Sequence, residues 1–286
     1  MNDPTRLVLP VGRRLVLGSA ATLPFALARG QQAVAAIPAV TPVCVLTPQE
    51  VEGPFYFNPH LERSDVTEGL PGVPLAIRMV VLEAGPCTPL IGARVDIWSA
   101  GADGEYSGYH GGPGASHGAG TFLRGTQTTD ATGTVTFRTI YPAWYPGRTP
   151  HIHFKVFLDG RNVLMGQTYF PDALSEYLFA NVAAYRGRAG TRDTFNSTDG
   201  IARMDKARVA FCDIKEAADH YAASLVLGVD RNGTVMAGGP DGAPPGGPPP
   251  GSPGHRPPPG PPPGFGSLRG PVIVVPGVPL ADQRPA

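Results

Sequence analysis

The stretch GTVTFRTIYPAWYPGRTPHIHFKVFL, residues 133–158, carries two runs rich in β-branched and aromatic residues joined by a proline-punctuated connection. The outer runs, GTVTFRTI (133–140) and HIHFKVFL (151–158), predict strands, because such side chains pack well on a pleated surface. Pro142, Pro146 and Pro150 fix φ and remove backbone donors, so the connection is stiff and cannot continue as a helix. In a strand alternate side chains share a face, so His151 and His153 project together while Ile152 turns to the core. Two imidazoles on one face form a two-nitrogen grip for a metal. Taken alone an HxH is a weak signal, but the stiff approach also restricts where Tyr145 and Arg148 can point.

Outward from this stretch the same texture recurs. LAIRMVVLE (75–83), ARVDIWSA (93–100), VLMGQTYF (163–170), ARVAFCDI (207–214) and HYAASLVLGVD (220–230) predict further strands, and PDALSEYLFANVAAY (171–185) is the one fair helix candidate. TPVCVLTPQEVEGPFYFNP (41–59) has too many prolines for a helix and is expected to lie extended across the domain surface. GYHGGPGASHGAG (108–120) lacks the flanking strand and helix of a phosphate-cradling loop, so it reads as flexible surface. The expected fold class is mainly β: an antiparallel β-sandwich with long loops and little helix.

A chain of 286 residues, 42% hydrophobic, can bury one substantial core. Its formal charge of +0 and lack of a basic stripe give no support for nucleic-acid binding. Residues 1–36 read as an export signal of the twin-arginine type: Arg13 and Arg14 precede a short apolar run, Leu15 to Ala28, and small residues follow at Ala33 to Ala36. That run contains Pro24 and falls short of the roughly 20 apolar residues a membrane span needs, so no span is expected in the mature chain. A folded domain then covers 37–237. Half of the 34 prolines lie beyond Gly238, so 238–286 is expected to be a disordered, partly polyproline tail. Cys44, Cys87 and Cys212 show no zinc spacing, and two of them are expected to pair in an oxidising compartment, by any of three connectivities.

The chemistry of the cluster depends on its tyrosine. A phenol with a pKa of about 10 becomes a phenolate ligand at neutral pH only on a strongly Lewis-acidic ion. Phenolate with imidazole favours Fe(III). Zinc ordinarily takes carboxylate or thiolate beside histidine, and Cu(II) is the nearer competitor.

With these residues, the chain resembles the intradiol ring-cleavage dioxygenases, the family of protocatechuate 3,4-dioxygenase and catechol 1,2-dioxygenase. The likeness covers roughly 44–230 and rests on LTPQEVEGPFY (46–56 region), PLIGARVDIWSAGADGEYSG (89–108), TTDATGTVTFRTIYPAWYPGRTPHIHFKV (128–156) and GQTYF (166–170), in family order. It implies four metal ligands, Tyr106 of GEYSG, Tyr145 of WYPGR, His151 and His153, around non-haem Fe(III). It also implies catalytic roles for Arg148, for Gln167 and for Tyr145 as the phenolate that substrate displaces. The partners it implies are a small aromatic diol and O2, and the reaction cuts the ring between the two hydroxylated carbons to give a muconate-type diacid. The helical dimerisation region of the catechol-cleaving branch has no counterpart, so no oligomeric state is carried over. Relatives of the exported type often read WHCDA where this chain has Trp98, Ser99, Ala100, Gly101 and Ala102, so a cysteine of theirs is missing.

Two other readings compete. A secreted β-sandwich binding or adhesion module explains the strand pattern but not Tyr106, Tyr145, Arg148, His151 and His153 together. A cupin-type HxH site would need a glutamate shortly after His153, where Lys155, Val156, Phe157 and Leu158 stand. His60, His110, His117, His220 and His255 are expected to be solvated or structural.

Overall fold

The computed structural model describes residues 44–108, 115–117 (backbone only), 120–186, 191–235 and 276–279. The signal-like segment 1–36, most of the loop 108–120 with His110, and nearly all of the tail lie outside the described residues.

The architecture is two packed four-stranded sheets. The first has the order β6 (Thr134–Ile140), β1 (Pro74–Glu83), β10 (Tyr221–Val229), β9 (Asp213–Glu216); the second has β5 (Arg124–Thr128), β2 (Arg94–Ser99), β7 (His151–Leu158), β8 (Arg161–Tyr169). A short ribbon pairs β3 (Tyr106–Ser107) with β4 (Ala115–His117), and one α-helix, α1 (Asp172–Asn181), follows β8. Pairing within the large sheets is antiparallel except between β1 and β10, which run parallel. The mainly β expectation therefore holds, with one mixed sheet.

The strands form where alternation predicts them. On β1, Leu75, Ile77, Met79 and Val81 are buried and face the second sheet's Val95, Ile97, Ile152, Phe154 and Val156 in one continuous core. Each large apolar side chain so buried contributes about 1.5–3 kcal/mol. The expected strand at 207–214 is displaced: 207–211 forms turns and a bridge, and β9 begins only at Asp213. The local reason is Asp205, whose carboxylate accepts from the Ala210 backbone N–H at 2.8 Å and so satisfies locally a donor that a strand would need. The polar run RGTQT of β5 was not anticipated, because it lacks apolar alternation.

β7 is buried on both faces, and the second face explains the site. The segment 47–57 crosses that face strand by strand. Gln49 Nε2 donates to the Val163 carbonyl of β8 at 3.1 Å, and the Glu50 amide to Met165 at 2.9 Å. Glu52 pairs with Lys155 of β7, Tyr56 donates to Asp96 of β2 at 2.9 Å, and Arg124 of β5 donates to the Phe55 carbonyl at 2.7 Å. The extended reading of this segment thus holds over its described part. Gly53 has φ +73, a left-handed backbone conformation that glycine adopts without strain, where the segment passes over the His153 ring. A Cys44–Cys87 disulfide ties the residues just ahead of the segment to the turn after β1, while Cys212 is a buried free thiol. Of the tail, Pro276–Pro279 is described, and Val278 packs at the edge of the main core.

Candidate metal centre

Sheet register assembles most of the site. His153 stands opposite Trp98 on β2 and Gln167 on β8, Trp98 stands opposite Arg124 on β5, and His151 stands opposite Tyr169. Residues directly opposite share a face, so these polar and aromatic groups line one side of the sheet beneath the crossing segment. Tyr106 comes from the separate ribbon, and Tyr145 and Arg148 come from the proline-stiffened connection before β7.

The four expected ligands converge. The His151 Nε2 lies 3.1 Å from the His153 Nε2 and 3.4 Å from each of the Tyr106 and Tyr145 hydroxyl oxygens. The Tyr106, His151 and His153 side chains are fully buried and Tyr145 is mostly buried, with an edge left accessible. Phe55 stacks on Tyr106 at 4.4 Å between centroids and Trp98 stacks on His153 at 4.7 Å, which holds both rings in place. Arg124, itself fully buried, donates to the Ser107 hydroxyl and carbonyl and so anchors the strand that carries Tyr106.

The proton inventory favours a cation at this point. His151 Nδ1 lies 2.6 Å from the Thr149 carbonyl, which fixes the proton there and leaves Nε2 a bare lone pair. Burial and the Arg148 charge hold His151 well below its ordinary pKa, and burial and His151 do the same for His153, so both rings are neutral donors. Burial and the neighbouring Tyr145 push the Tyr106 phenol well above 10; burial raises Tyr145 too, against the pull of Arg148. One bare nitrogen thus faces two hydroxyls and a second imidazole, more groups than a single lone pair can serve. Donor atoms about 2.0–2.1 Å from a shared ion fall close to 3.1–3.4 Å from one another, the separations seen. No three His, Cys, Asp or Glu side chains could hold a metal among the described residues, so a metal here depends on the tyrosines. Two phenols that burial keeps neutral select a cation acidic enough to deprotonate them, which fits Fe(III) better than zinc.

Arg148 lies beside the four expected ligands. Its Nη1 donates to the Tyr145 hydroxyl at 3.3 Å, its Nη2 to Gln167 Oε1, and its Nε to Asp199 Oδ2 at 2.9 Å. Gln167 Nε2 in turn donates to the Val51 carbonyl at 3.2 Å. Asp199, fully buried, also accepts from the amides of Thr149, Ile201 and Ala202. It therefore braces both Arg148 and the residue whose carbonyl orients His151. Asp199 in its loop and Arg124 on β5 carry no sequence signal for these roles; a buried acid or base is visible only once its partner is placed.

A family model described as Dioxygenase matches residues 51–191. The chain is 34% identical over 115 residues to chlorocatechol 1,2-dioxygenase of Pseudomonas sp. (strain P51), a match spanning 34% of this chain and 43% of that enzyme. It is 30% identical to a solved intradiol ring-cleavage dioxygenase from Tetranychus urticae, covering 67% of this chain and 98% of that one, with a TM-score of 0.62.

Proposed function

The chain belongs to the intradiol ring-cleavage dioxygenases, and from that membership we propose that it opens a 1,2-dihydroxybenzene with O2 between the two hydroxylated carbons. The reading places non-haem Fe(III) on Tyr106, Tyr145, His151 and His153. It rests above all on the meeting of two phenol oxygens and two imidazole nitrogens at one buried point. When bound, the metal supplies the Lewis acidity that lowers the pKa of a chelated diol and activates its ring toward O2.

The protein's own groups divide the remaining work. Tyr106, His151 and His153 are sealed from water and serve as the fixed grip. Tyr145 is the one of the four that is not fully buried, consistent with the role the family resemblance gives it: it would yield to an incoming diol and could take up a hydroxyl proton. Arg148, 3.3 Å from that phenol, stabilises negative charge on whichever oxygen occupies the position. Gln167 and Asp199 keep the guanidinium from turning away. Catechol and O2 together contain all the atoms of muconate, so no external reductant is required. The adhesion-module alternative leaves this buried cluster without a role.

The same reading has the chain exported by a twin-arginine route, supported by Arg13, Arg14 and the Cys44–Cys87 disulfide, which suits an oxidising destination. Replacing both arginines by lysine should strand the precursor; normal export of that variant would count against the route.

The decisive experiment offers catechol to the purified protein, with O2 uptake, product absorbance and iron content measured together. A red-brown, iron-bearing protein yielding cis,cis-muconate supports the reading. A yellow semialdehyde product, or a strict need for added Fe(II) and ascorbate, would overturn it.

A further inference from the structure

Behind Arg148 and Gln167 lies a buried carboxyl group that the proposed reaction does not use. Glu50 Oε2 accepts the Tyr169 hydroxyl at 2.9 Å, while Glu50 Oε1 is buried with no hydrogen-bond partner among the described residues. The Tyr169 hydroxyl has a second acceptor within reach, Gln167 Oε1 at 3.5 Å, and that same oxygen receives the Arg148 Nη2. One hydroxyl proton therefore stands between two acceptors, one of which holds the arginine. We propose that Glu50 is a positioning residue for ring cleavage: as carboxylate it commits the Tyr169 hydroxyl to itself and leaves Gln167 to Arg148, and as carboxylic acid it releases the hydroxyl to compete for Gln167.

The physical basis is that a hydroxyl bonded to a carboxylate is held about twice as strongly as one bonded to a neutral oxygen. Loss of the charge on Glu50 evens the choice between its own Oε2 and Gln167 Oε1. The groups facing Glu50 are Tyr169 and Gln167 on β8, Arg148 ahead of β7 and Asp205 after the 3-10 turn Ala202–Met204; Glu52 lies on its own segment. Burial pushes the Glu50 carboxyl up to about 7; the Tyr169 hydroxyl, Arg148 and the Gln167 backbone N–H pull against that rise and Asp205 adds to it. The change of state thus falls in the neutral range, and its effect is to steady Arg148 above that pH and loosen it below.

This inference rests on the ring-cleavage reading, and its test separates the two. Catechol turnover is measured from pH 5.5 to 8.5 for the wild type, Glu50→Gln and Tyr169→Phe. Forming the ratio of wild type to Glu50→Gln cancels ionisation of the diol and of the metal ligands. That ratio of kcat/KM should rise through an inflection near 7, with iron content unchanged. Against Tyr169→Phe the wild type should show the same inflection, and the ratio of Tyr169→Phe to Glu50→Gln should be flat, because the hydroxyl that transmits the change is gone. A flat wild-type ratio in an active enzyme, or an inflection that survives in Tyr169→Phe, would overturn the role of Glu50 while leaving the ring chemistry standing. Should Glu50→Gln fail to accumulate, the wild type to Tyr169→Phe ratio decides alone.

Should the wild type cleave no catechol, the proposed function fails, and Glu50 is then read from urea unfolding. A carboxyl whose folded pKa is raised from 4.5 to about 7 is protonated in the fold and ionised in the unfolded chain across that window, so stability falls as pH rises through it. The wild-type midpoint should drop relative to Glu50→Gln between those pH values and level off above them; parallel profiles would refute the titration on which the switch depends.

Discussion

Replacing Asp199 by Ala tests whether the site is braced from behind. Asp199 is fully buried and the Arg148 side chain only 16% exposed, so the variant leaves a guanidinium largely out of water without its counter-charge. Removing one partner of a buried pair costs about 3–5 kcal/mol, far more than the pair would be worth on the surface. The amides of Thr149, Ile201 and Ala202 lose their acceptor as well, which places the expected loss toward the upper end of that range. In urea, with a slope of about 2 kcal/mol per molar, this shifts the unfolding midpoint down by about 2 M. Trp98, stacked on His153, and Trp144 provide the fluorescence signal. The pH sense follows from the charges. Burial alone would raise the Asp199 carboxyl, but Arg148 and the surrounding N–H donors hold it below 3.8. A depressed folded pKa contributes stability that is present above the unfolded value and lost as pH falls through the folded one. The gap between wild type and Asp199→Ala should therefore be constant at neutral pH and narrow only below about 3.8. A loss under about 1 kcal/mol at pH 7, the scale of a surface pair, would show that Arg148 needs no buried counter-ion and would refute the bracing role.

Other expectations follow from the same contacts. Serine at both Cys44 and Cys87 opens a loop with ends 43 residues apart, for which chain entropy gives a loss of about 4 kcal/mol; an unchanged urea midpoint would contradict it. Alkylation of the denatured, unreduced protein should label Cys212 alone, one adduct by intact mass. Tyr106→Phe should lose iron and colour together, whereas Arg148→Ala should keep its iron and lose about 100-fold in kcat/KM, since the arginine touches charge rather than metal; iron loss from the arginine variant would place it among the ligands. Gly277 has φ +71, and a Cβ there would lie 2.0 Å from the Asp219 carbonyl, so Gly277→Ala should cost about 1–2 kcal/mol by thermal unfolding, whereas excising 238–270 should leave the unfolding temperature unchanged.

Local patterns carried much of this protein. Period-two alternation marked β1, β6 and β10, because a strand's side chains report directly which face is buried; on β7 it marked only the core face, since the polar face is buried as well. The same two-residue period put His151 and His153 on one face, and three prolines confined Tyr145 and Arg148 near them, so three of the four expected ligands and the arginine were legible within nine residues. Tyr106 was legible only through its resemblance to a family motif, since nothing local says that a ribbon 45 residues away meets β7. The rest belonged to the tertiary structure alone. Which cysteines pair, why β1 and β10 run parallel, and which acids reach Arg148 all depend on chain segments brought together from far apart. Asp199 and Glu50 are ordinary loop acids in sequence; burial against Arg148 and Tyr169 is what separates their charges from those of the solvated carboxylates around them, and burial is a property of the packed chain.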